Sequence, residues 1–276
     1  MNTPLVSIVV PCWNAGAFMD GLCECLDAQT FRDFETIIVD DGSTDPATLD
    51  RLNKLSSSIS VVRQENRGLS GARNSGFREA KGEFVLPLDC DDRIESDFLL
   101  RGVERLRANP DLDFVFSHMR LVGARVGILE RRFNRFDQLF LNQLAYALLM
   151  RKQAWTRVGG YDETMRDGYE DWDFNLRLII SGSNGALLPN AHLIYRVAEG
   201  GMLLSKSARK HGELWARIRC KHPEAYGLRH LISLSKAEGP GKVSLLAAAA
   251  LLTAATLLPP EVLGRLYQAM LIGRTR

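Results

Sequence analysis

The sequence has few cysteines, and their spacing forms no recognisable pattern. It does not match the ligand spacing of a zinc site, and the odd number argues against a disulfide framework. The simplest expectation is reduced thiols in a cytoplasmic protein. The five cysteines of this 276-residue chain are Cys12, Cys23, Cys25, Cys90 and Cys220.

The sequence also lacks a long apolar run and the pattern of a secretory leader. Its first apolar run is preceded by neither a basic segment nor a small-residue cleavage site, so no leader is expected. The most apolar segment, residues 243–258, is shorter than the roughly twenty residues that span a bilayer. We expect a packed or interfacial helix there.

The chain as a whole has no strong excess of either charge. Its net charge is +2, which gives no reason to expect nucleic-acid binding. The distribution is uneven, because twelve lysines and arginines stand against four acidic residues from residue 201 onward. This basic tail suits an anionic partner, but it equally suits a set of solvated helix faces, and both interpretations stay open.

Short β-branched runs alternate with helical spacing through the first part of the chain. This alternation predicts an α/β fold in which helices flank a mostly parallel central sheet. Beyond residue 201 only helical patterns remain, so we expect a domain at residues 1–200 and a helical extension at 201–276. The predicted strands are residues 6–11, 35–40, 60–64, 84–89, 114–122 and 192–197, and the predicted helices include 72–80, 98–108 and 171–181.

Three segments between these elements have no clear period. Residues 65–71 are expected to form a loop, and residues 123–138 a loop or hairpin. Residues 139–150 are apolar and are ambiguous between helix and strand.

An acidic motif follows the strand predicted at residues 84–89. Asp89 and Asp91 form an Asp-x-Asp sequence at its carboxyl end, where α/β sheets bind ligands. Carboxylate oxygens suit Mg²⁺ or Mn²⁺, and these cations usually accompany a phosphate. The alternative is that the carboxylates cap the following helix.

Three further motifs occupy predicted strand ends or loops. Asp40 and Asp41 precede a glycine, so a carboxylate there could bind a ring N–H or could cap a helix. Arg73 lies in a segment rich in glycine and serine, and its guanidinium offers a fork for a diphosphate. The alternative is that Arg73 is an ordinary surface arginine. Glu170 and Asp171 open a helix, either as catalytic carboxylates or as a favourable N-terminal charge cluster.

Taken in their order along the chain, the motifs resemble those of family 2 glycosyltransferases, which have the GT-A fold. The resemblance covers about the first two hundred residues and implies a Rossmann-like nucleotide-binding half joined to an acceptor-binding half. Residues 1–200 would then be the catalytic domain. The matching segments are VSIVVPCWNAG, ETIIVDDGSTD, ENRGLSGARNSG, GEFVLPLDCDDRI, VGGYDE and GYEDWDFNLRL.

The resemblance implies a role for each residue singled out. The donor would be a nucleotide sugar, and a UDP sugar is favoured. Pro11 and a carboxylate of Asp40 or Asp41 would hold the base, with Asp41 the preferred member of the pair. The remaining roles are Arg73 near the base and diphosphate, Asp89 on the ribose, Asp91 on a divalent cation (Mn²⁺ or Mg²⁺), Asp171 as catalytic base and Glu170 as its neighbour.

Two departures from the family pattern are visible. Val197 and Ala198 stand where the family often has a histidine, and His192 just upstream is more simply explained as structural. The Gln-x-x-Arg-Trp motif of processive synthases is absent, so we expect transfer of one sugar rather than polymer extrusion.

The reaction expected from the resemblance is an inverting, metal-dependent transfer to a hydroxyl of a glycan or lipid-linked acceptor, in cell-surface polysaccharide or lipopolysaccharide-type synthesis. One alternative is a non-catalytic relative that binds a nucleotide sugar. A sugar-phosphate nucleotidyltransferase is a weaker alternative, because CWNAGAF lacks a glycine-rich loop with a basic residue. The basic, partly apolar extension could rest on an anionic cytoplasmic leaflet, or could form a homodimer contact or pack on the catalytic domain.

Overall fold

The computed structural model describes residues 3–198 and 210–265. In the first range, strands and helices alternate much as the sequence predicts. The strands are β1 (Val6–Cys12), β2 (Phe34–Asp41), β3 (Ile59–Gln64), β4 (Phe84–Pro87), β5 (Arg93–Ile94), β6 (Phe114–Gly123), β7 (Gly127–Leu129), β8 (Leu149–Arg151) and β9 (Gly185–Val197). The helices are α1 (Met19–Asp27), α2 (Pro46–Asn53), α3 (Gly68–Glu79), α4 (Phe98–Ala108), α5 (Arg135–Gln138), α6 (Lys152–Arg157), α7 (Glu170–Ile180), α8 (His211–Lys221), α9 (Leu228–Glu238) and α10 (Leu245–Leu257).

Within the described residues, the nine strands form one sheet in the order β3-β2-β1-β4-β8-β6-β9-β5, with β7 paired to β6. Strands β3, β2, β1 and β4 are parallel neighbours, as are β6 and β9. Strand β8 is antiparallel to both β4 and β6 and joins the two parallel sets. The α/β class and the mostly parallel sheet are therefore confirmed.

Helices cover both faces of this sheet. The residues of β1 alternate between the two sides, because Ile8 and Val10 lie in one core cluster and Val9 lies in the other. Leu22 and Phe98 bring α1 and α4 onto the first face. The second face packs against α3 and α7. A strand buried on both sides is continuously apolar, which is why the sequence of β1 shows no polar alternation.

Several boundaries differ from the predicted ones. Helix α3 begins at Gly68, inside the segment expected to be a loop, and β4 ends at Pro87 rather than at Asp89. Strand β9 begins at Gly185, seven residues before the expected start, and its pairing with β6 shifts register between Ser117 and His118. The ambiguous residues 139–150 are mostly irregular and end in β8.

The helices of the C-terminal extension share a core with the preceding domain. Trp215 of α8 and Leu231 of α9 pack in one cluster with Phe140 and Trp172. Since Trp172 belongs to α7, the extension lies against the helix that begins with Glu170. The predicted division at residue 200 falls outside the described residues and stays a prediction. None of the described helices has the length and apolarity needed to cross a bilayer.

Candidate active site

A cavity of about 630 Å³ opens at the carboxyl ends of β1 and β2. Its wall contains residues of the Asp40–Asp41 motif, of the glycine-rich segment before Arg73 and of the Glu170–Asp171 motif. Trp13, which is 59% exposed, stands at this wall directly after β1. The sequence signal for it was an aromatic residue just beyond a strand end. The residues of the wall that matter below are Pro11, Trp13, Asp41, Gly42, Arg67 and Glu170.

Asp41 and Asp40 have different surroundings. Asp41 lines the cavity, and its Oδ1 accepts hydrogen bonds from the Arg67 backbone N–H at 2.8 Å and from Gln64 Nε2 at 2.6 Å. Its Oδ2 accepts from the Gly68 N–H at 2.8 Å. Asp40 instead accepts from the Ser43 N–H at 2.9 Å, which closes the turn after β2. Of the two, only Asp41 lines the described cavity.

The contacts of Asp41 explain the early start of α3. The first N–H groups of a helix have no partner within the helix. Here a carboxylate distant in sequence binds two of them, at Arg67 and Gly68. A carboxylate offers about four acceptor positions, so one remains after these three hydrogen bonds. Asp41 can therefore both cap α3 and accept an N–H from a ligand in the cavity.

Arg73 is buried between the Asp-x-Asp motif and the Glu170–Asp171 motif. Its Nη2 donates to Asp89 Oδ1 at 2.9 Å, and its Nη1 donates to Glu170 Oε1 at 3.1 Å. The guanidinium lies 4.8 Å from the centre of the Tyr146 ring. Burial acts to lower the pKa of Arg73, but Asp89, Tyr161 and Glu170 raise it above its ordinary value. Arg73 is thus a permanent cation that holds Asp89 and Glu170 close to each other.

The loop after β4 presents its three carboxylates to different surroundings. Asp91 is about one-third exposed, and burial followed by the charge of Asp89 raises its pKa. Asp92 is buried and accepts from the Tyr146 hydroxyl at 2.6 Å and from the Arg196 N–H at 2.8 Å. Burial and the charge of Asp89 raise the pKa of Asp92 to about 8. Asp92 therefore joins the loop to β9 rather than facing a ligand.

Glu170 and Asp171 both begin α7, after Tyr169 in a left-handed conformation. Asp171 is half-buried and accepts a hydrogen bond from Asn142 Nδ2 at 2.9 Å. Burial and then the charge of Asp171 raise the pKa of Glu170 to about 7, against the opposing effect of Arg73. Asp173, in the same turn, bonds Arg177 and His222, so it belongs to the packing of the extension.

The donor atoms near Asp91 are compatible with a divalent cation. Within the described residues, no group of three or more His, Cys, Asp or Glu side chains could enclose a metal by itself. Mg²⁺ typically uses only one or two carboxylates and takes its other ligands from phosphates and water. The partly exposed carboxylate of Asp91, crowded by the negative Asp89, suits such an open site.

His192 is accounted for by protein contacts. Its Nδ1 lies 3.1 Å from Glu95 Oε2, and its ring lies beside that of His118. These contacts agree with the structural interpretation of this histidine. Residues that the sequence did not single out are Tyr146, Asn142 and Arg196; contacts between distant parts of the chain bring them to the site.

Comparison with known proteins gives consistent results. Residues 7–161 match the family described as glycosyl transferase family 2. A PGL/p-HBAD biosynthesis glycosyltransferase of Mycobacterium bovis is 32% identical over 196 residues, which are 68% of this chain and 73% of the relative. An uncharacterized glycosyltransferase of Haemophilus influenzae is 29% identical over 185 residues, or 63% of this chain and 62% of the relative's length.

Solved structures show the same fold at lower identity. Staphylococcus aureus TarS 1–349 in complex with UDP-GlcNAc is 20% identical, with a TM-score of 0.65 over 84% of this chain and 73% of that chain. The mannosyltransferase PcManGT from Pyrobaculum calidifontis, in complex with GDP-Man and Mn²⁺, is 21% identical, with a TM-score of 0.59 over 98% of this chain and 84% of that chain.

Proposed function

Since this chain belongs to glycosyltransferase family 2, we propose that it transfers one sugar from a nucleotide sugar to an acceptor hydroxyl, with inversion at the anomeric carbon. The observation that carries the proposal is the placement of Arg73. One buried guanidinium binds Asp89 of the Asp-x-Asp motif and Glu170 beside Asp171. This bridge keeps the proposed donor-binding motif close to the helix that bears the proposed base, and this proximity supports a transfer between two bound substrates.

The cavity beside β1 and β2 is the proposed site of the nucleotide base. Asp41 keeps an acceptor position for a ring N–H, and Trp13 offers a flat apolar surface against which a base can stack. Uracil carries such an N–H, so a UDP sugar is the favoured donor. TarS has been solved with UDP-GlcNAc and PcManGT with GDP-Man, which makes UDP and GDP sugars the two donor classes to compare.

Asp171 is the proposed catalytic base. An acceptor hydroxyl attacks efficiently only when its proton is removed as the new bond forms. Asp171 is half-buried at the start of α7, and Asn142 binds its Oδ2, which fixes the direction of the carboxylate. Glu170 is committed to Arg73 and is better placed to orient the site than to accept this proton. One base and one displacement give inversion.

A divalent cation, Mn²⁺ or Mg²⁺, is the proposed cofactor, held by Asp91. It would stabilise the negative charge that develops on the leaving diphosphate. Asp89 pairs with Arg73 and adds negative charge near Asp91. It is also the proposed contact of the ribose. The presence of Mn²⁺ with PcManGT agrees with this assignment.

Replacing Asp171 by Asn tests the proposed base. We expect UDP release from a donor–acceptor pair to fall by about a hundredfold or more, because general-base catalysis is typically worth that much. Binding of UDP should persist, since Asp171 does not line the nucleotide cavity. Asp50→Asn is the matched control, because Asp50 is exposed on α2 and pairs there with Lys54 at the end of the helix. Normal transfer by Asp171→Asn would exclude the assignment.

A thermal-shift comparison of UDP and GDP sugars identifies the donor. Ligands that bind only the folded protein raise its melting temperature, and at equal concentration the ligand that binds more tightly raises it more. We expect a UDP sugar with Mn²⁺ to give the larger shift, and chelator to reduce it. A larger shift with GDP sugars would replace the donor assignment, while no shift with either class would favour a non-catalytic relative with another ligand.

The acceptor is proposed to be a glycan or lipid-linked molecule at the inner face of the cytoplasmic membrane. Helix α10 has exposed leucines at Leu246 and Leu257, and no charged residue lies between Lys242 and Glu261. An apolar helix surface at the end of a basic segment suits an anionic lipid surface. A homodimer through the same surface is the competing arrangement.

A further inference from the structure

Arg196 is the last residue but one of β9, and it comes immediately before the position at which the family pattern led us to expect a histidine. Three contacts set the place of this arginine. Its backbone N–H donates to Asp92 Oδ1 at 2.8 Å, and its guanidinium lies 4.7 Å from the centre of the Phe18 ring. Its Nη1 is 3.7 Å from Asp91 Oδ2. A cation is therefore built against the proposed metal ligand by contacts to residues far away in sequence.

Two other arginines near Asp91, among the residues that the structure describes, are committed elsewhere. Arg73 pairs with Asp89 and Glu170. Arg93 donates to the backbone carbonyl groups of Cys90, Asp92 and Phe18, although it lies close enough to affect Asp91 electrostatically. Arg196 is the one ion-pair partner of Asp91 among the described residues.

The geometry of this pair suits reversible contact. Arg196 is 42% exposed, and 3.7 Å between nitrogen and oxygen is longer than a direct hydrogen bond. A partly exposed pair of this kind is worth about 1 kcal/mol or less, so a ligand can break it at little cost. The backbone of Arg196 stays fixed through Asp92, while the guanidinium is free to reorient within the reach of its side chain.

We propose that Arg196 is the counter-ion of Asp91 before the donor binds, and that the divalent cation and the diphosphate displace it together. The guanidinium then pairs with a phosphate oxygen of the donor. This inference rests on the proposed function, because it requires a nucleotide diphosphate beside Asp91. A guanidinium donates strong, charge-assisted hydrogen bonds to a phosphate. The ionised carboxylate of Asp91 has no N–H or O–H to donate to that anion.

Displacement by both ligands makes their binding cooperative. A divalent ion that arrives alone meets the repulsion of Arg196, and it must compete with this residue for Asp91. A diphosphate supplies negative charge to the ion and to the guanidinium at once. By linkage, each ligand must then raise the affinity for the other by the same factor. Removing the guanidinium should strengthen binding of the cation alone and weaken binding of the diphosphate alone.

The test uses the full chain and its Arg196→Met variant. Mn²⁺ affinity without nucleotide is measured from the loss of the electron paramagnetic resonance signal of the free ion. UDP and uridine affinities are measured calorimetrically in chelator. We expect Arg196→Met to bind Mn²⁺ up to about fivefold more tightly, as the loss of a competing ion pair predicts. We expect UDP to bind about tenfold more weakly and uridine to be unaffected, because only UDP carries the diphosphate.

Two further variants make the result specific. Arg101→Met removes an equally exposed arginine that pairs with Asp97 on α4, and it should behave as the unsubstituted protein. Arg196→Lys keeps the charge but loses the planar fork, so it should lose part of the UDP affinity and should decide the matter if Arg196→Met does not fold.

Unchanged Mn²⁺ and UDP affinities in a folded Arg196→Met protein would overturn the inference. An equal loss of UDP and uridine affinity would also overturn it, because the effect would then be on the nucleotide cavity. If the unsubstituted protein bound neither UDP nor GDP, the proposed function itself would fail. The Mn²⁺ measurement would still report separately on the Arg196–Asp91 pair.

Discussion

At the scale of single residues, the contacts of Arg73 join the Asp-x-Asp loop to the start of α7. Arg73 is 1% exposed, and it bonds one carboxylate from the loop after β4 and another from the start of α7. Removing one partner of a buried charge cluster leaves the others without compensation, and this typically costs more than the cluster contributes to stability. Arg73 is therefore as important for folding as for the cleft.

Replacing Arg73 by Met should lower the free energy of unfolding by about 3 kcal/mol, because Asp89 and Glu170 would be left without a counter-charge. The measurement is the urea midpoint at neutral pH. Arg51→Met is the control, since Arg51 pairs with Asp20 at the exposed surface and should change stability by about 1 kcal/mol or less. Equal effects of the two substitutions would show that the buried pairs do not hold the cleft together.

Gly42 is a second residue on which the cleft depends. Its φ of +74° closes the turn after Asp41, and a Cβ atom would lie 2.9 Å from the backbone nitrogen of Asn66. Gly182 has a similar φ of +81°, but nothing lies within 4 Å of its Cβ position. The two glycines thus separate the cost of backbone conformation from the cost of steric contact.

We expect Gly42→Ala and Gly182→Ala each to lose about 1–2 kcal/mol of stability from the left-handed backbone. Only Gly42→Ala should also weaken UDP binding, because the contact with Asn66 would shift Asp41 and the N-terminus of α3. Thermal unfolding and calorimetric titration measure the two effects. If Gly182→Ala weakened UDP binding as much, the turn at Gly42 would have no special part in the cavity.

At the scale of elements, the extension supports the helix that carries the proposed base. His211 of α8 is buried beside the rings of Trp172 and Trp215, and its Nδ1 lies 2.9 Å from the hydroxyl of Tyr169. Tyr169 precedes α7 directly. Burial lowers the pKa of His211 to about 3. Protonation of this one ring would therefore disturb the contact between the extension and α7.

The lowered pKa of His211 predicts a loss of stability in acid. The ordinary pKa of this group is 6.5, so the unfolded chain takes up the proton first as the pH falls below that value, and unfolding is favoured. Between pH 7 and pH 5 this should cost about 2 kcal/mol at most. His211→Phe, which keeps a ring in place, should show a smaller loss in urea denaturation at the two pH values.

His230→Phe is the matched control, because His230 lies exposed on α9. It should keep the acid sensitivity of the unsubstituted protein. If His211→Phe and His230→Phe depended on pH alike, another group would be responsible for any acid lability.

The strands and helices were predictable where their cause is local. Apolar periodicity predicts β1, β2 and α4. The Asp45–Pro46 pair is a local signal of the same kind for the start of α2, where Asp45 accepts from the Thr48 N–H at 2.9 Å. The start of α3 was missed because its cap is Asp41, which is distant in sequence. The start of β9 was missed because Pro189 and a register shift interrupt its pattern.

The candidate site was predictable in its carboxylates but not in their connections. Short motifs identify acidic residues at strand ends and at a helix start, so Asp41, Asp91 and Asp171 could be singled out as candidates, and their roles stay predictions. Two of these connections join residues about a hundred positions apart. They are the contact of Arg73 with Glu170 and the contact of Arg196 with Asp91. No local pattern encodes such an approach, and only the folded chain shows it.

At the scale of the whole molecule, one surface of the extension is incompletely covered. Helix α10 is apolar around its circumference, and its Ala248 packs into the core that α8 and α9 share with α7. Leu246 and Leu257 are 84% and 76% exposed. They are separated by three helical turns and so lie on the same face. A helix that is apolar on all sides is normally buried, which implies a partner for this face.

Vesicle flotation tests whether that partner is a membrane. We expect the full chain to float with anionic vesicles and Leu246→Gln/Leu257→Gln to bind about a hundredfold more weakly, since each of the two buried leucines contributes about 1.5 kcal/mol. Val126→Gln/Ile128→Gln is the control, because these exposed apolar residues lie at the β6–β7 hairpin. Point substitutions are preferable to removal of the extension, whose core continues into α7.

The same proteins distinguish a membrane from a second copy of the chain. Binding to a lipid surface should grow with the fraction of anionic lipid and weaken with salt, because basic residues near an anionic surface contribute about 1 kcal/mol each. A dimer would instead appear in sedimentation without lipid and would be lost in Leu246→Gln/Leu257→Gln. Absence of flotation together with such a dimer would assign this face to self-association, and the proposed acceptor at the membrane would lose its structural support.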